Sequence, residues 1–159
     1  TLSECPNCKS KNLKWLKPFL CCCLDCGNIE NVNRLEDGES LVATELDSTP
    51  NPFPYSIAVH FSTSSEYGIA WIGDDEWKWM GQQNRAFNKH LAQYDIGYFD
   101  GYGSGFGELD LHFFVNDIDA GFKLIREHLI QHELMGYCNS ITCFDGNEAG
   151  EWKPLYQRK

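Results

Sequence analysis

The feature that most constrains this chain is a pair of short cysteine spacings near its start, Cys5-Pro6-Asn7-Cys8 and Cys23-Leu24-Asp25-Cys26. Six of the eight cysteines lie within the first 26 residues. Each Cys-x-x-Cys knuckle aims two sulfurs at one point, and the 14 residues between Cys8 and Cys23 can form the hairpin that joins the knuckles. Four thiolates around a d¹⁰ ion satisfy tetrahedral Zn²⁺. Iron–sulfur clusters also use four cysteines, but paired knuckles on a hairpin favour zinc. Disulfides are disfavoured: residues 1–11 carry no apolar signal segment, so the expected location is the cytoplasm, where thiols stay reduced.

The expectation is one structural Zn²⁺ per chain, held by Cys5, Cys8, Cys23 and Cys26. All four positions are then filled by protein, whereas zinc catalysis needs an open one. The apolar residues of this segment, Leu13, Trp15, Leu16, Phe19 and Leu20, are too few to fold it alone, so the metal would supply the folding energy. Residues 4–33 resemble a zinc ribbon, with Cys-Pro-x-Cys first and Cys-x-x-Cys-Gly second. The sequence departs from that pattern in having Lys9, not glycine, after Cys8, and in carrying Cys21 and Cys22 beside the second knuckle. Cys22-x3-Cys26 is a possible alternative spacing. Cys21 and Cys22 are read as strand residues packed as small hydrophobes.

The organisation expected is a ribbon over residues 1–35, a Pro-rich connector over 36–54 and an α+β domain over 55–159. Pro50, Pro52 and Pro54 exclude regular helix and favour extended chain. Residues 56–62 alternate, with Ile57, Val59 and Phe61 on one side, as in a strand. Asp74 or Asp75 would cap a helix to about Tyr94, its apolar stripe being Trp77, Met80, Phe87, Leu91 and Tyr94. A strand over 96–102 follows, then glycine at alternate positions from Gly101 to Gly107, read as a hairpin connection. Leu109, Leu111, Phe113 and Val115 face inward on the next strand. Asp117 or Asp119 caps a second helix to about Met135, with Phe122, Ile125 and Leu129 inside, and residues 140–144 form a last strand.

The order β-α-β-β-α-β predicts a ferredoxin-like sandwich: an antiparallel four-stranded sheet with both helices on one face. The segment Glu151–Tyr156 is expected to dock against the sheet, because Trp152 and Tyr156 are costly to leave wet. Residues 56–145 also resemble small uncharacterised bacterial ferredoxin-like proteins of the immunity type, through Asp100-Gly101-Tyr102-Gly103-Ser104-Gly105 and the strand Leu109-Asp110-Leu111-His112-Phe113-Phe114.

Other constellations point to chemistry less directly. His60 and His112 fall on adjacent strands, on the face away from the helices, with Asp110 beside them; such a group can serve as an acid–base or metal site. His128 and His132 share a helix face and read as solvated. Cys138 and Cys143 have no basic neighbour to activate a thiolate and read as buried thiols. The glycine run is no phosphate loop: it joins strand to strand, and Asp100 and Glu108 flank it.

Net charge is −10, and residues 37–120 hold 14 acids against 3 bases. Acids also stand where an RNA-recognition sheet needs Arg or Lys. The reading is therefore a zinc-binding, non-enzymatic protein-interaction module, of the inhibitor or immunity type, whose acidic domain engages a basic protein partner. An alternative is a nucleic-acid-associated accessory factor acting through Lys9, Lys11, Lys14 and Lys17 of the ribbon. A third is a small acid–base or metal-dependent enzyme using His60 and His112. No apolar run is long enough for a membrane span.

Overall fold

Among the described residues, two antiparallel sheets and two helices are built from the two periodicities of the sequence. The computed structural model describes residues 2–32, 50–63 and 76–159. Strands β1 (Leu13–Lys17), β2 (Leu20–Cys23) and β3 (Ile29–Asn31) form the first sheet, in the order β1-β2-β3. Then come β4 (Tyr55–Ser62), α1 (Glu76–Gln93), β5 (Gly97–Gly105), β6 (Glu108–Val115), α2 (Ile118–Gln131), β7 (Cys138–Phe144) and β8 (Lys153–Gln157). Their sheet runs β5-β6-β4-β7-β8, with every neighbouring pair antiparallel.

The alternating residues do what their pattern demands. Ile57, Val59 and Phe61 of β4, Leu109, Leu111, Phe113 and Val115 of β6, and Ile141 and Cys143 of β7 point into one core with Met80, Phe87 and Leu91 of α1 and Ile125 and Leu129 of α2. Each large side chain buried there contributes roughly 1.5–3 kcal/mol. Asp117 caps α2, its carboxylate accepting from the Ala120 N–H at 2.8 Å.

Several expectations are corrected. The sheet has five strands, not four, because residues 153–157 pair along β7 as β8 and do not merely dock on it. The glycine run is not a connection: Gly101, Gly103 and Gly105 lie within β5, opposite His112, Asp110 and Glu108, and only Phe106-Gly107 makes the turn. Helix α2 ends at Gln131, and Met135–Tyr137 is a separate 3₁₀ turn. Tyr94 leaves the apolar stripe and is exposed. Asp74, Asp75 and the side chain of Trp77 lie outside the described residues, as does most of the 36–54 connector. Its last residues are anchored: Phe53 is buried edge-on against Tyr98, and Asn51 bonds both the N–H and the carbonyl of Phe53.

The clearest departure is His128, expected in solvent and found 3% exposed. Its ring stacks on Phe87 at 3.8 Å between centroids and on His132 at 4.1 Å, while its Nε2–H donates to the Gln83 side-chain oxygen at 3.1 Å. His90 of α1 faces the same group, with its Nε2 buried and unpartnered among the described residues. Burial pushes the His128 pKa from 6.5 down to about 3, and His132 and His90 add to the effect. The native state therefore holds the ring neutral, whereas the unfolded chain takes up a proton below 6.5. Stability from this group is complete above pH 6.5 and is lost as the pH falls from there toward 3. The expected loss is about 2 kcal/mol at pH 5. Denaturant titrations at pH 7 and pH 5 check it: in His128→Phe, which has no proton to gain, the difference between the two pH values should shrink by about that amount.

Candidate metal centre and the open sheet face

The ribbon's two knuckles are built alike. In the first, the Cys5 N–H donates to the Ser10 carbonyl and the Lys9 N–H donates back to the Cys5 carbonyl. In the second, Cys23 bonds Asn28 and Gly27 bonds Cys23 in the same way. Lys9 and Gly27 occupy equivalent places, and both have a left-handed backbone, with φ of 62° and 75°. The turn demands that conformation, and Lys9 adopts it where ribbons usually carry glycine.

These turns bring the Sγ atoms of Cys5, Cys8, Cys23 and Cys26 within 4.8 Å of one another. Cys5–Cys26 and Cys8–Cys23 are each 3.6 Å apart. A Zn–S bond of about 2.3 Å in a tetrahedron sets sulfurs about 3.8 Å apart, whereas a disulfide needs about 2.05 Å. Two of the sulfur pairs thus stand close to the spacing of a metal cage and all lie within 4.8 Å, so the four could hold one ion.

The surroundings suit thiolates. The Asn7 side-chain N–H donates to Cys26 Sγ at 3.5 Å. Burial raises the Cys26 pKa, but Asn7, the Asn28 backbone N–H and the neighbouring thiols Cys8 and Cys5 outweigh it and bring the group down to about 7. Cys8 is pulled down by the Ser10 backbone, but Cys26, desolvation, Cys23 and Cys5 together drive it up to about 12. Clustered thiols cannot all ionise without a compensating cation. Asp25 braces the hairpin by accepting from Ser10 and Asn12, whose hydrogen bonds hold its pKa down.

Cys21 and Cys22 lie on β2, buried and outside the cage. Cys22 faces the other unit, packing in one apolar cluster with Leu16, Phe53, Ala92 and Tyr98. Its burial drives its pKa up to about 12, as befits an inert thiol. The ribbon rests on α1 and the start of β5: Lys14 pairs with Asp95 at 2.6 Å, and Lys17 donates to the Tyr98 hydroxyl at 2.8 Å. Gly27 lies so close to α1 that an added Cβ would fall 1.9 Å from the Arg85 carbonyl oxygen. Cys138 and Cys143 are buried, as expected.

The second group of expected residues is partly assembled. His60 Nδ1 meets Asp110 Oδ1 at 2.6 Å, and the two stand directly opposite one another on β4 and β6. His112 lies on the same face, opposite Ala58 and Gly101, but it is exposed and among the described residues joins neither. A third partner escaped the sequence pattern: Thr142 of β7, whose hydroxyl is 3.0 Å from His60 Nε2. Its position, one strand further across the sheet, depends on pairing between segments 82 residues apart. Neither Nδ1 nor Nε2 of His60 is left to bind a metal.

Compared with known proteins, the chain matches no family model, no curated protein and no solved structure, so nothing there supports the immunity-type resemblance.

The equivalent turn positions yield opposite expectations. Lys9→Gly should raise stability by up to about 1 kcal/mol, by relieving the left-handed backbone. Gly27→Ala should cost about 2–3 kcal/mol, because it adds that strain to a collision with a helix carbonyl. Denaturant unfolding of the two variants beside the parent chain measures both.

Proposed function

We propose that the chain is a metal-stabilised protein-interaction module: a zinc ribbon fixed onto a ferredoxin-like domain with an added edge strand, whose acidic side engages a basic protein surface. The sulfur geometry supports the metal, with Cys5, Cys8, Cys23 and Cys26 as ligands to one structural Zn²⁺. The distribution of charge carries the interaction reading. From residue 90 to residue 122 there is no Lys or Arg, while Asp95, Asp100, Glu108, Asp110, Asp117 and Asp119 fall there. Asp100, Glu108, Asp117 and Asp119 are exposed on the β5–β6 hairpin and at the start of α2. A surface with an excess of carboxylates accelerates and orients association with a cationic partner, such as an enzyme whose own cleft binds phosphate.

The nucleic-acid reading of the ribbon receives less support. Of its four lysines, Lys9 pairs with Glu4, Lys14 with Asp95 and Lys17 with Tyr98. Phosphate contacts would have to break these pairs first.

Metal content tests the first element: about one zinc per chain by elemental analysis, lost in Cys5→Ser together with the ribbon's folded signal. The interaction is tested by capturing partners on the parent chain and on an Asp100→Asn/Glu108→Gln/Asp117→Asn variant. A basic protein should be retained by the parent alone and released by raised salt. Identical captures by the two chains would overturn the reading.

A further inference from the structure

The hydrogen bonds around His60 have a polarity and a setting that the interaction reading does not use. An ionised carboxylate can only accept, so Asp110 Oδ1 takes the Nδ1–H of His60 at 2.6 Å. In the neutral ring this leaves Nε2 as a bare acceptor, and it lies 3.0 Å from the Thr142 hydroxyl, which then donates to it. Carboxylate, imidazole and hydroxyl stand in a line across three neighbouring strands, β6, β4 and β7. Rigid strands hold all three, with side chains half-buried and not sealed in the core.

Beside Asp110, the face carries little bulk among the described residues. Continuing the cross-strand row beyond Asp110 leads to Gly103, and the flanking positions of β5 are Gly101 and Gly105. A Cβ placed on any of the three would meet nothing within 4 Å. On the other side, two residues along β7 from Thr142, Phe144 lies against the half-exposed Trp152 at 5.9 Å between centroids, forming an aromatic shelf. Among the described residues, the ribbon packs against the Tyr98 and Phe114 end of this face.

We propose that Thr142, His60 and Asp110 form a hydroxyl-activating relay that accepts acyl groups from aryl esters, with Thr142 as nucleophile, His60 as general base and Asp110 as the positioning residue that sets the imidazole tautomer. His60 Nε2 removes the Thr142 hydroxyl proton as Oγ1 bonds to the ester carbonyl carbon. The bond to the leaving phenol oxygen then breaks, its electron pair departing with that oxygen, which takes the proton back from His60. Water is the second reactant: His60 deprotonates it, it attacks the Thr142 ester, and the carboxylic acid leaves as the Thr142 oxygen regains its proton. The aromatic shelf, whose Phe144 is on the same strand as Thr142, receives the aryl group.

The test uses the full chain with p-nitrophenyl acetate, following p-nitrophenolate release and mapping acetylated peptides by mass spectrometry. The expected result is a burst of release with acetate on Thr142. His60→Gln should slow acetylation of Thr142 about 100-fold while leaving that of exposed lysines unchanged. Thr142→Ser should keep the burst, and the near-isosteric Thr142→Val should abolish it. Thermal melts establish that each variant is folded, and Thr142→Val carries the test alone if His60→Gln is not. The proposal is overturned if Thr142 stays unmodified while surface lysines react, or if Thr142 reacts equally fast in His60→Gln.

Discussion

The close approach of the second knuckle to helix α1 governs how the rest of the molecule is arranged. Gly27 meets the backbone of Arg85 with no room for a side chain, and Cys22, one position before the knuckle, is buried among Leu16, Phe53, Ala92 and Tyr98. The same short strand therefore offers Cys23 to the cage and Cys22 to the neighbouring unit, since successive strand residues point to opposite sides. A ribbon of three short strands has little apolar surface of its own. Here part of what it has is completed by the helix and by β5.

Docking at that edge also divides the outer face of the five-stranded sheet. Tyr98 and Phe114 are covered, with the Lys17 ammonium 5.1 Å and 5.5 Å from the centres of their rings. The centre, where His60, Asp110 and Thr142 bond to one another, is left partly open. Exposed carboxylates fall on the β5–β6 hairpin and at the start of α2. One small fold thus separates a ribbon carrying a candidate metal cage from an exposed polar face.

Much of the architecture was legible because it follows from local periodicity. Alternation in residues 56–62 and 109–115, helical spacing of Met80, Phe87 and Leu91, and a cap at Asp117 or Asp119, which the structure places at Asp117, each depend on nearby residues alone. Where the reading failed, the deciding partner was distant. Alternate glycines signal a turn by composition, yet strand pairing with β6 keeps Gly101, Gly103 and Gly105 extended. His128 has an ordinary helical neighbourhood and is buried only because Phe87 and Gln83 arrive from the other helix. Asn88, on which the sequence pattern is silent, is fully buried and its oxygen accepts the Phe99 N–H, tying α1 to β5.

The sequence by itself determined the cysteine cage: two knuckles with short internal spacing and a hairpin-length gap leave few other ways to place four thiols, and the sulfurs stand where that spacing puts them. It also determined the strands and helices whose apolar residues repeat in phase. Only the tertiary structure decided which polar groups meet. Asp110, His60 and Thr142 lie 50 and 82 positions apart along the chain, and strand order and register alone set them side by side. A one-residue slip in either pairing would send these side chains to opposite faces, because side-chain direction in a strand reverses at every residue.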